Sequence, residues 1–212
     1  MSRATDGKRG ASFVLYGQLC FLLFIGVCIA IRPGFVLKGN EGGISNYGPH
    51  LQTAFAYTAA LLGLAELSRR AGTLFRSDDD PNAQRLRRVL YFYFVFVLAM
   101  LVTSYFYTVN RTLRDVHFGF GTLLIVFEVA TSWWMFRLFR RLIWDGVFLI
   151  LQLSGSIVCL VTIVGAIHVL FVGEMVTWIG FSGLIIHTSR YLGARDGAGD
   201  DARQRGLRNS LS

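Results

Sequence analysis

Residues 13–31 read FVLYGQLCFLLFIGVCIAI, nineteen residues without a charge or a proline. At about 1.5 Å per residue a helix of that length spans about 28 Å, close to the hydrocarbon thickness of a bilayer. Arg3, Lys8 and Arg9 precede it, as basic residues precede a signal peptide. However, the apolar run exceeds the usual length of such a segment, and no small-x-small cleavage site closes it. The reading is a retained first membrane span.

Working outward, the same pattern recurs along the chain. Apolar runs at residues 49–67, 89–108, 116–136, 146–172 and 175–191 bring the expected number of spans to six. Gly173 and Glu174 are read as the break between the last two. Composition agrees: hydrophobic residues make up 53% of the 212 and charged residues 16%, with a mean hydropathy of +0.50. Soluble domains carry roughly 25% charged residues. These values exclude a disordered chain, a soluble disulfide scaffold and a nucleic-acid-binding domain. The expected fold is all-α: a polytopic membrane bundle of six transmembrane helices over residues 1–192. Residues 193–212, rich in Gly, Asp and Arg, are expected to form a disordered cytoplasmic tail.

The net charge of +8 belongs to orientation. With the N-terminus in the cytoplasm, 17 of the 21 basic residues fall inside, and only Arg32, Lys38, Arg111 and Arg114 fall outside. Cytoplasmic loops of membrane proteins carry this excess, so both termini are placed inside. Trp133, Trp134 and Trp144 then sit at the inner interface. Asp80-Pro81 reads as a helix cap followed by a first-turn proline. The small residues Ala54, Ala56, Ala59, Ala60, Gly63 and Ala65 thin the second span and suggest a place in the middle of the bundle. Cys20, Cys28 and Cys159 all lie in apolar runs, and no CxxC pair is present, so they are read as packing residues.

Glu128 is the sharpest chemical feature. It lies eleven residues from His117 and nine from Arg137, near the expected bilayer midplane. An ionisable group at that depth faces the protein interior. It is read either as a proton or cation relay, or as one member of an interhelical polar site with Gln18 and Gln152, with Thr103 and Ser104 as further partners. Glu66 has a simpler account in ion pairing with Arg69 and Arg70 one turn later. A second set gathers at the outer ends of the spans: Asn46, His50, Asp115, His117, His168 and Glu174, with Glu41 and Tyr47 beside them. Imidazole and carboxylate groups together could bind a metal or exchange protons. Asp115 and His117 are two apart and do not share a helix face, and no HExxH or HxxxH pair is present. The expected meaning is a polar, water-filled outer vestibule, with no metal site. Nucleotide loops, GxSxG elbows and nucleophile–His spacings are missing from the sequence, so no catalytic residue and no cofactor is assigned. Asn110-Arg111-Thr112 matches a glycosylation sequon in a short outer turn.

The order of features resembles six-span bacterial membrane proteins of domain-of-unknown-function type and, more distantly, the damage-regulated autophagy modulators. The matching elements are the first span, the outer Ile44-Ser45-Asn46-Tyr47-Gly48 segment, the small-residue second span, and His117 opening the fourth. The resemblance implies a compact six-helix bundle without catalytic activity. Function is accordingly expected to be that of a non-enzymatic integral membrane protein, set in a bacterial plasma membrane. Its expected partners are membrane lipids, with another membrane protein or a second copy of the chain as the other candidates, and no nucleic acid. The alternatives are a small-solute or proton-coupled transporter centred on Glu128, and an intramembrane hydrolase or transferase using the outer His and acid cluster. The charge bias makes one outcome testable at once: reporter fusions at the N- and C-terminus are expected to report the same, cytoplasmic side, and opposite sides would refute the six-span reading.

Overall fold

The computed structural model describes residues 3–38, 43–75, 80–139, 143–165 and 169–210. The chain forms α1 (Arg3–Ile31), the short α2 (Gly34–Lys38), a turn of 3₁₀ helix (Gly43–Tyr47), α3 (Leu51–Leu74), α4 (Pro81–Ser104), α5 (Arg111–Phe139), α6 (Ile143–Ile163) and α7 (Leu170–Ser210). No strand occurs among the described residues.

Among the described residues five stretches are long and apolar enough to cross a membrane: Gly7–Ile31, Pro81–Ser104, Arg111–Leu138, Ile143–Ile163 and Leu170–Ala194. This is the make-up of a helical integral membrane protein. The count is one fewer than the sequence pattern suggests. At 24 residues α3 is as long as α4, but Gln52, Thr53, Tyr57, Thr58 and Glu66 make it less apolar.

Local chemistry sets the helix ends. Asp80 accepts a hydrogen bond from the Asn82 amide at 2.8 Å with Pro81 in the first turn, so α4 starts where its cap lies. Asn110 does the same for α5, accepting from the Leu113 amide at 2.9 Å. The break between α6 and α7 is not at Gly173 and Glu174. It comes earlier, where Gly165 adopts a φ of +83° and its amide bonds the Thr162 carbonyl at 2.9 Å. Glycine reaches that left-handed conformation without a Cβ penalty and ends the helix. Glu174 therefore lies inside α7, in the second turn. The backbone of residues 193–210, in the stretch expected to form a disordered tail, is described as a continuation of α7 to Ser210. Elongating an already nucleated helix adds a hydrogen bond with each residue fixed, so α7 can run on past its packed part.

The centre of the bundle is α7, not the small-residue second span. α7 packs against α6 and α1 and also touches α4, α5 and the 3₁₀ turn. Its Trp178 ring lies 4.2 Å from Phe21 of α1, and its Phe181 ring 5.1 Å from Tyr93 of α4 and 6.4 Å from Phe127 of α5. α3 pairs with α1 and α4 and leaves Leu51 and Phe55 largely exposed. Exposed Leu23, Val95, Val126 and Ile150 on other helices complete an apolar exterior suited to lipid.

The α6–α7 contact is a backbone contact. A Cβ on Gly180 would stand 2.7 Å from the Phe148 carbonyl and 2.9 Å from Cα of Gln152, and one on Gly155 would stand 2.8 Å from the Gly173 carbonyl. Such small residues let helices in lipid approach closely. Gly180→Ala is expected to lower stability by about 1–3 kcal/mol through overpacking. Gly26→Ala, which meets nothing within 4 Å on the exposed face of α1, should be neutral or slightly stabilising. Thermal unfolding of both variants in detergent compares the two.

Candidate functional site

The C-terminal ends of α1, α4 and α6 and the N-terminal ends of α3, α5 and α7 meet at one end of the bundle, which the 3₁₀ turn closes. The other end carries the arginine-rich connections.

Glu128 sits deep between these ends on α5 and is fully buried. Its Oε2 accepts a hydrogen bond from Nε2 of Gln152 on α6 at 3.3 Å, and the same amide donates to Ser156 Oγ at 3.2 Å. Glu128 Oε1 and Gln152 Oε1 have no partner among the described residues. The close crossing of α6 on α7 is what brings Gln152 this far in. Gln18 does not join them. It is buried on α1, and its Nε2 lacks a partner among the described residues. Thr103 bonds His117 and Ser104 bonds the Leu101 carbonyl, so neither serves Glu128.

The 3₁₀ turn packs into part of the expected vestibule. Ile44, Ser45 and Tyr47 of the 3₁₀ turn are buried. The Tyr47 ring packs 5.4 Å from Phe35 and 6.4 Å from Phe171. Its hydroxyl donates to the Arg32 carbonyl at 3.4 Å, and burial pushes its phenol up to about 12. Thr53 Oγ1 donates to the Tyr47 carbonyl at 2.7 Å. Glu174 of α7 accepts from the Ile44 amide at 2.6 Å. The neighbouring Gly43 has a φ of +55°, and a Cβ there would come 2.7 Å from the Glu174 carboxyl carbon. Glycine is needed at that position twice over, for its backbone conformation and for room.

The remaining members of the outer set go to separate tasks. Asn46 accepts a hydrogen bond from the Tyr107 hydroxyl. His50 takes the cap position of α3, with Nδ1 3.2 Å from Arg32 and its ring 4.8 Å from Phe35. Asp115 is exposed and 3.9 Å from Arg111. His117 is buried, 2.8 Å from Thr103 Oγ1 and stacked at 4.9 Å on Tyr107. His168 and Glu41 lie outside the described residues. Among the described residues no three of His, Cys, Asp and Glu come together as a metal site. Asp115 faces away while His117 turns in, as their two-residue spacing requires.

Two cavities that share a wall lie at this end. The wider, of about 660 Å³, has Arg111 and Arg114 with Asn46 and Asn110 on its polar side. Phe118, Ile163 and Leu170 form its apolar wall and also line a narrow cavity of about 50 Å³. His117, Glu174, Thr177 and Glu128 line the narrow one.

One pair was not anticipated. His187 Nδ1 of α7 lies 2.8 Å from Oδ1 of Asp145 in the first turn of α6, and that aspartate is fully buried. The pair ties the two helices at the arginine-rich end. The signal was an acid in the first turn of an otherwise apolar helix, which a single sequence does not connect to a histidine 42 residues away. Glu66 bonds Arg69 at 2.7 Å and Arg70 at 2.8 Å, as its spacing implies.

The Glu128–Gln152 geometry yields an ordered series. Gln152→Leu removes the donor to a buried carboxyl and is expected to cost about 1–3 kcal/mol. Glu128→Gln should cost less, and Glu128→Leu with Gln152→Leu less than the two single leucine variants summed. Chemical unfolding in mixed micelles measures all of them. Compared with known proteins, the chain matches no family model, no curated protein and no solved structure.

Proposed function

We propose that this is a non-enzymatic, six-span integral membrane protein that binds an anionic lipid in the wide cavity at its plugged end. α3 serves as the sixth span, and the arginine-rich end faces the cytoplasm. The observation that carries the reading is the composition of that cavity. Arg111 and Arg114 stand at its rim in the first turn of α5, and Phe118, Ile163 and Leu170 lie along its wall. A guanidinium matches phosphate geometry, and a basic pocket between membrane helices is a headgroup site. The helix N-terminus adds its own attraction for anions. Asp115 offsets part of the charge through Arg111, so Arg114 is the stronger contributor.

The opposite end supports residence at a charged lipid surface. Arg87 and Arg88 border a second cavity of about 590 Å³ with Tyr91, Phe92 and Val95. Arg85 lies 4.7 Å from the Trp134 ring and Arg137 5.2 Å from the Trp133 ring. In a bacterial plasma membrane, phosphatidylglycerol would supply the ligand.

The experiment is lipid binding to the detergent-purified protein by native mass spectrometry, with phosphatidylglycerol against phosphatidylcholine. At about 1 kcal/mol per basic contact, Arg114→Ala should weaken phosphatidylglycerol binding roughly fivefold, and adding Arg111→Ala should weaken it further. Equal affinity for both lipids, or no effect of either substitution, would overturn the proposal.

A further inference from the structure

We propose that the narrow cavity between α5, α6 and α7 is a proton-binding site, in which Glu128 and Glu174 are the two proton acceptors. It goes beyond the lipid reading and does not rest on it.

The cavity has the contents such a site requires. Two carboxyl groups, from different helices, line about 50 Å³. That space admits a few water molecules where polar partners are present. Glu128 and Thr177 both line it, both side chains are at most 2% exposed, and Glu128 Oε1 has no partner among the described residues. An unpaired buried polar atom is costly. No Lys or Arg lines the cavity. The titratable groups that face it are His117 of α5, which is already engaged with Thr103, and Cys159 of α6. Tyr93 of α4 lies within electrostatic reach of Glu128, and both carboxyls lie within reach of Cys159. Two negative charges in so small a space repel with no cation to offset them. A proton removes one charge: an O–H bond forms on a carboxylate oxygen, and the hydronium that delivers it becomes water. The new hydroxyl gives Glu128 Oε1 a donor that water or Thr177 can accept.

Phe118, Ile163 and Leu170 also line the wide cavity, so the two spaces share a wall. Glu174 also holds the Ile44 amide. A proton on Glu174 would weaken a charge-assisted bond to that turn, so protonation and closure of the plug are coupled.

The test uses the full chain reconstituted in neutral phosphatidylcholine vesicles, which keeps its outcome separate from that of anionic lipid binding. Infrared difference spectra between buffers of about pH 6 and about pH 9, above the range in which exposed carboxyls titrate, should show a protonated-carboxyl band that shifts in heavy water. Glu128→Gln should remove about half of its amplitude and Glu174→Gln the other part. Glu128→Asp should restore the first component at an altered frequency, which a variant that had merely misfolded would not do. Absence of the band throughout the titration, or a band that survives both glutamine variants, would overturn the proposal.

Discussion

The bundle depends on how closely α6 lies against α7. Glycines at 155, 173 and 180 remove the side chains that would hold the helices apart. In lipid, where apolar burial between helices gains little, van der Waals contact at short range supplies the attraction. The consequence reaches further than the pair itself. With α6 drawn in, Gln152 is carried to Glu128 on α5, and Asp145 is carried to His187. α7 becomes a spine, with Trp178 against α1 and Phe181 against α4 and α5. Packing thus decides which polar groups meet, and those polar groups decide what the interior can do.

The two ends of the molecule solve different problems. At the arginine-rich end, charge is exposed and long side chains lie on aromatic faces, as Arg85 does on Trp134. Such contacts suit the boundary between hydrocarbon and headgroup. At the plugged end, polar groups are drawn inward and satisfied one by one. Tyr47, Thr53, Asn46 and His117 each bond a neighbour from another segment. What remains open there is a wide basic cavity and, sharing one apolar wall with it, a narrow acidic one.

Much of this was legible in the sequence, because helices in lipid are written in long apolar runs. The first span, the Asp80-Pro81 start of α4, the Glu66 ion pairs and the burial of Glu128 follow from spacing and composition alone. The Gln152 half of the polar site was legible too, since few polar side chains share its depth. Three things were not. The last turn between helices sits at Gly165 because a backbone angle ends α6 there, whereas hydropathy pointed to the charge at Glu174. The outer polar residues looked like one cluster because they share an end of the bundle, but the side of the helix each one occupies separates Asp115 from His117. The plug could not be seen at all: Ile44 and Tyr47 read as loop residues until Glu174 and Phe171, from the far end of the chain, meet them in turn.

The hydrogen bond from the Ile44 amide to Glu174 joins residues 130 positions apart. A ribosome adding about 5–20 residues per second needs on the order of ten seconds to travel that distance. Throughout that interval the nascent first loop has no carboxylate to fasten it, although the helices on either side of it have already been made. Assembly of this end is therefore postponed until the last helix is delivered.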